Sequence, residues 1–308
     1  MNKKQKYELY RWKWENYPKL KIIERVPCHL DIEITTRCNL KCIMCEHTTD
    51  PPAPLDLSLL VYKKIIDEFA EKGGCAIKLC YLGEPLLHKE LDKMKKYAKD
   101  KGIIDVMLAT NGNLLTKTLA SKLIKSGLDS ITFSIDSCKN EIYKQIRCRG
   151  DLDRVIEGLK HLNALKKEYN SKTPKIIIQG IPMPLNKEEI ETGQYENFWK
   201  SYANLVRISP YCEDFINALN YEVESNFFCE GIYQRMTIRA DGKIVLCCGI
   251  RKDNKILGDI REDSLEDVWL GKEFCHIRKL MNEHKSHLID ACKACSYRIS
   301  RIKDGRDS

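Results

Sequence analysis

The 308-residue chain has no apolar run that approaches the length of a transmembrane helix, which argues against an integral helical membrane protein. The opening Met1-Asn2-Lys3-Lys4-Gln5-Lys6 is basic, but charged and aromatic residues follow where a signal peptide would place its apolar stretch. Export is therefore not expected, and a cytoplasmic protein is. No internal repeat is present, which excludes a repeat array, and no low-complexity linker interrupts the chain. No basic stripe interleaved with aromatics argues for nucleic acid. Tyr10-Arg11-Trp12-Lys13-Trp14 comes nearest to one, and reads better as an N-terminal extension packing its aromatics on the main domain.

Cysteine is what the chain has in abundance, with fifteen residues. Disulfide scaffolds are usually short and core-poor. This chain is 43% hydrophobic and long enough for one large domain plus a small appendage, so its thiols are expected to be reduced. The net charge is +8. Solvated lysine-rich helix faces account for it, and so does an anionic substrate such as a phosphorylated sugar, a nucleotide sugar or an acidic peptide.

Three cysteines stand together in Cys38-Asn39-Leu40-Lys41-Cys42-Ile43-Met44-Cys45, just after the apolar run Leu30–Ile34. Three thiolates can hold three irons of a [4Fe–4S] cluster and leave the fourth iron open for chemistry. A zinc knuckle completed by Cys28 is the alternative, although zinc sites usually show two paired motifs.

Short β-type runs alternate with helical ones. Strands are expected at Leu30–Ile34, Ala76–Tyr81, Ile104–Ala109, Ser130–Ile135, Lys175–Ile181 and Leu205–Ser209. Helices are expected near 57–72, 89–101, 115–126, 151–168 and 187–202. Such alternation means right-handed βαβ units on a parallel sheet. After about Pro210 the pattern changes. Met236–Cys247 reads as a β-hairpin turning at Asp241-Gly242, helical segments follow near 264–284, and Arg301–Ser308 is expected to fray.

Turn motifs follow three of the expected strands: Tyr81-Leu82-Gly83-Glu84-Pro85, Thr110-Asn111-Gly112 and Ser134-Ile135-Asp136, with Arg147 beyond the last. Together with the three cysteines they resemble the radical S-adenosylmethionine (SAM) superfamily. The resemblance covers about residues 28–298. It implies a partial (β/α)6 TIM-like barrel over 28–210, an N-terminal extension over 1–27, and active-site groups at the C-terminal ends of strands. It implies that Cys38, Cys42 and Cys45 hold the SAM-binding cluster and that Gly83, Glu84 and Pro85 meet the SAM amino group. Ser134 and Arg147 become candidates for its ribose and carboxylate, with Arg149 competing with Arg147. Met44 replaces an aromatic residue that the family often has near adenine, and Ile177–Ile181 should lie beside that base. The cofactor set implied is SAM with two [4Fe–4S] clusters, served by a reducing partner such as flavodoxin or ferredoxin.

Cys229, Gly242-x4-Cys247 and Cys292-Lys293-Ala294-Cys295 are similar to the opening of the SPASM domain, which places a small C-terminal auxiliary-cluster domain of hairpin and helices over 211–308. Arg301 stands where a further cysteine of the full form would be, so the shortened "twitch" form with one auxiliary cluster is expected. The cysteine spacing is especially similar to that of the butirosin-pathway aminocyclitol dehydrogenase. Zinc is the alternative for these four thiols, and Cys248 competes with Cys247 as ligand. Four cysteines saturate a [4Fe–4S] cluster, which favours electron transfer and therefore oxidation of a small polar substrate. Three alternatives remain: a redox-neutral epimerase using Cys212 or another thiol as hydrogen donor, a maturase of ribosomal peptides, and a non-catalytic electron carrier. The first 27 residues are too short for the separate leader-binding domain that peptide maturases often carry.

Overall fold

The computed structural model describes residues 1–209, 224–249, 255–293, 295–303 and 307. Eleven strands are found among them: β1 (His29–Ile32), β2 (Lys41–Cys42), β3 (Ala76–Leu79), β4 (Asp105–Thr110), β5 (Ser130–Ser134), β6 (Arg147–Cys148), β7 (Lys175–Gly180), β8 (Leu205–Ile208), β9 (Arg235–Ile238), β10 (Lys243–Val245) and β11 (Ile256–Asp259). The fold is mostly parallel sheet with helices, a partial TIM-like α/β architecture, followed by a C-terminal part with antiparallel strands. The chain divides into two compact units. One comprises Met1–Ile32, Leu60–Ile77 and Pro210–Ser308; the other comprises Glu33–Leu59 and Lys78–Ser209. Among the described residues no helix is long and apolar enough to cross a membrane.

In the second unit β4, β5, β7 and β8 run parallel in that order, with Phe133 opposite Ile178 and Gly180 opposite Ile208. The crossover helix Leu152–Glu168 buries Leu152, Val155, Leu159, Leu162 and Leu165, the 3.6-residue stripe of its sequence. It starts where Asp151 accepts a hydrogen bond from the amide of Asp153. Gly158 lets it close on the chain before the helix Lys117–Lys125, since a Cβ there would stand 2.8 Å from the Leu115 carbonyl oxygen. The expected helix over 187–202 is two, Lys187–Glu191 and Gln194–Trp199, because Gly193 takes the left-handed conformation between them.

In the first unit β10 lies between β9 and β11, antiparallel to both, and β9 pairs in parallel with β1, His29 opposite Arg235. Gly242, at φ +82°, makes the expected turn. The N-terminal extension is a helix, Lys3–Leu20. It buries Tyr10 and Tyr17 and sets Trp14 against His29 at 5.4 Å, while Trp12 stays exposed. Of the end expected to fray, residues 304–306 and 308 lie outside the described residues. A helix runs over Ser296–Lys303, and Arg301 donates to Asp307, whose carbonyl accepts from the Asn226 amide.

Candidate cofactor and cluster sites

The strand ends of the second unit surround a cavity of about 320 Å³. Cys38, Cys42, Met44, Cys45, Gly83, Glu84, Ser134 and Arg147 all line it. The cysteine loop is held on both flanks. Arg37 forms a two-pronged ion pair with Asp56 (3.0 and 2.6 Å), and His47 bonds the Thr36 carbonyl at 2.7 Å. β2 pairs antiparallel with β6, which sets Cys42 opposite Arg147. Cys45 opens the short helix Glu46–Thr49, and its amide bonds the Cys42 carbonyl at 3.1 Å.

Gly83 approaches backbone so closely that a Cβ would fall 1.9 Å from the Thr35 carbonyl oxygen. Glu84 is buried. One carboxylate oxygen accepts from Thr110 Oγ1 (2.7 Å) and the Leu86 amide (3.0 Å), the other from the Asn111 amide (2.8 Å). A carboxylate has about four acceptor positions. Three are used within the protein, so Glu84 braces the ends of β3 and β4 and faces the cavity with one to spare. Pro85 does not line the cavity among the described residues. It is buried at the first position of a 3₁₀ turn, where a proline ring presets the backbone.

Asp136 closes the Ser134-Ile135-Asp136 motif after β5. It is fully buried, accepting from Arg147 Nε at 2.7 Å and from the Ile181 amide at 3.0 Å. Burial opposes the charge on Arg147, but Asp136, Cys42 and Tyr143 outweigh it and hold the guanidinium charged. Arg147 Nη1 also lies 3.8 Å from Cys42 Sγ. Arg149 lines a different cavity, of about 430 Å³, with Lys144 and Arg154. Burial pushes the Cys42 thiol up to about 11 against the pull of Arg147, and raises Cys38 as well. Buried thiols of this kind become thiolates when a cationic metal core replaces their protons, so the donor set fits an iron–sulfur cluster.

Cys229, Cys247, Cys248 and Cys295 line a cavity of about 610 Å³ in the first unit. Cys292, in the turn Asp290–Lys293, does not line it, but its pKa is raised first by burial and then by Cys295, Cys229 and Cys247. Burial likewise pushes Cys229 and Cys247 up to about 12. Four half-buried thiols from three segments thus lie near one another, a donor set that would suit a closed [4Fe–4S] cluster. Among the described residues no three His, Cys, Asp or Glu side chains are gathered as tightly as a single metal ion requires. Cys212 lies outside the described residues. Of the remaining cysteines, Cys28 and Cys75 are buried as expected of small apolar groups; Cys275 is exposed, and Cys80 lines the cavity of the second unit.

Sequence reasoning did not single out Asp136 as the support of Arg147, or Thr110 and Asn111 as donors to Glu84. The strand-end motifs carried the only signal, through their shared position after strands.

A family model described as the radical SAM superfamily matches residues 32–192, and one described as an iron-sulfur cluster-binding domain, SPASM, matches residues 229–296. The chain is 36% identical over 146 residues to a GTP 3',8-cyclase of Limosilactobacillus fermentum, covering 46% of this chain and 43% of that protein, so it spans less than half of that relative's length. It is 25% identical over 327 residues to the tungsten-containing aldehyde ferredoxin oxidoreductase cofactor-modifying protein of Pyrococcus furiosus, covering 88% and 87% of the two chains. Among solved structures, BtrN in complex with AdoMet and 2-DOIA is similar in fold, with a TM-score of 0.60 and 17% identity over 89% of this chain and 94% of that one.

Proposed function

The chain belongs to the radical SAM superfamily and carries a SPASM iron–sulfur domain, and on that premise we propose that it oxidises a small polar substrate by hydrogen-atom abstraction. SAM and iron–sulfur clusters are its cofactors. When bound, they supply a carbon-centred radical that removes the hydrogen and a cluster that accepts the second electron.

The proposed roles of the chain's residues follow from their chemistry. Cys38, Cys42 and Cys45 ligate the first cluster. Arg147, kept charged and oriented by Asp136, meets a carboxylate in a fork, as guanidinium does best. Gly83 admits the ligand to the backbone of the second strand end, and the remaining acceptor of Glu84 suits an ammonium. Ser134 offers a hydroxyl to the ribose, and Met44 a soft surface to adenine. Cys229, Cys247, Cys292 and Cys295 ligate one auxiliary cluster, the twitch arrangement.

The observation that carries oxidation over epimerisation is the grouping of Cys229, Cys247 and Cys295 around one cavity of the first unit, with Cys292 close enough to feel all three. Four ligands leave no open iron, so such a cluster passes electrons rather than holding substrate. A flavodoxin or ferredoxin would reduce the first cluster, and a cytoplasmic setting suits both. The match to GTP 3',8-cyclases favours a purine nucleoside triphosphate as a second reading of the substrate. The excess of cations agrees with an anionic one.

The test is anaerobic reconstitution followed by assay of 5'-deoxyadenosine, with Cys42→Ala as control and GTP among the first compounds screened. 5'-Deoxyadenosine from the wild type alone supports the reading; equal amounts from the variant overturn it. Solvent deuterium retained in a product of unchanged oxidation state would replace oxidation with epimerisation.

A further inference from the structure

Arg235 opens β9 beside the cysteine cavity of the first unit. Three neighbours fix its guanidinium. The fully buried carboxylate of Asp31 lies 3.4 Å from Nη1, the Trp14 ring lies under the guanidinium carbon at 4.8 Å, and Cys248 Sγ accepts from Nη1 at 3.4 Å. A guanidinium stacked on an aromatic face and tied to a buried acid has little freedom to turn away. Its charge reaches the cluster thiols as well, since Arg235 acts on Cys229. Arg235 lines the same cavity as Cys229, Cys247, Cys248 and Cys295, and Cys248 is the thiol its guanidinium meets directly.

We propose that Arg235, held by Asp31 and Trp14, is the residue that tunes the reduction potential of the auxiliary cluster, with Cys248 as the outer thiol through which it is positioned. This rests on the reading of Cys229, Cys247, Cys292 and Cys295 as that cluster's ligands. A [4Fe–4S] core with four thiolates is an anion, and reduction adds one more negative charge. A fixed cation at its edge stabilises the reduced form more than the oxidised one, which raises the potential. A higher potential makes the cluster a better acceptor for the single electron that a substrate radical gives up. The N-terminal helix thereby acquires a role, because Trp14 is part of the clamp.

The experiment is an anaerobic redox titration of the reconstituted full-length protein with chemical mediators, read by electron paramagnetic resonance at the auxiliary signal. Cys42→Ala is the common background, so that only this cluster is present. Arg235→Gln should lower the reduced-to-oxidised ratio at a given applied potential about tenfold, equivalent to about 59 mV for one electron. Arg235→Lys, which keeps a cation, should recover most of that loss. Arg235→Gln with full iron and an unchanged potential overturns the proposal. So does loss of auxiliary iron in Arg235→Gln but not in Arg235→Lys, which would make Arg235 a structural support only. A Cys42→Ala protein that binds no iron or sulfide is a different result: it refutes the underlying assignment of the four cysteines.

Discussion

At the scale of single residues, Gly83 is the position with the least tolerance. The neighbour its Cβ would strike is backbone, not the end of a flexible side chain, so relief requires the loop of Thr35 or the turn of Glu84 to move. Either movement disturbs donors that converge on one carboxylate. Gly83→Ala is therefore expected to lower the affinity for SAM at least about tenfold, which is about 1.4 kcal/mol. Equilibrium binding to the reconstituted protein checks this, and an unchanged dissociation constant would mean that the turn yields without reaching the site. Arg147 illustrates the opposite condition, a charge that burial alone would suppress and that Asp136 sustains.

At the scale of elements, the second unit lines its cavity from strand ends and carries a buried cation between two of its helices. Helix Leu91–Asp100 presents Lys95, which is fully buried, to the end of helix Lys117–Lys125. There Nζ donates to Ser126 Oγ at 2.6 Å, with the Leu123 carbonyl at 3.4 Å. Neither partner is an anion, and burial lowers the pKa of Lys95 to about 7. An unfolded chain keeps a lysine near 10.4. Between these values the unfolded state binds more protons, so stability rises with pH. The penalty is fully present below about 7 and vanishes above the unfolded value. Lys95→Met should remove this slope and stabilise the protein at pH 7 by on the order of 1 kcal/mol. Unfolding midpoints of the two proteins at pH 7, 8 and 9 should converge as pH rises, and parallel curves would sink the argument.

At the scale of the whole molecule, the two cysteine groups differ in how much chain they gather. Cys38, Cys42 and Cys45 lie within one loop, so a cluster there closes little of the chain. Cys229, Cys247, Cys292 and Cys295 join segments far apart in sequence, and cross-links over longer spans remove more freedom from the unfolded state. Cys229→Ser should therefore lower the thermal midpoint and the protease resistance of the C-terminal segment more than Cys42→Ala does, by on the order of a few kcal/mol. Equal losses in anaerobic melts and limited proteolysis would show that the auxiliary group does not staple the unit.

The sequence by itself determined whatever depends on neighbours in the chain. Cys38-x3-Cys42-x2-Cys45 is legible because one loop supplies every ligand. Strands β4, β5 and β7 and the stripe of helix Leu152–Glu168 are legible because burial imposes a period of two or 3.6, whereas the fully buried β1 is legible only as a short apolar run. The split at Gly193 was not, since a half-buried glycine without a side chain carries no periodic signal. Only tertiary structure decided which partner each polar group would find. Asp136 meets Arg147 across a strand end and a helix, Glu84 collects donors from the following strand, and β9 joins β1 across about two hundred residues. Arg235 reaches Asp31 and Trp14 only once that pairing has formed. Such contacts leave no trace in spacing, because the burial that makes each one necessary exists only after the chain has folded.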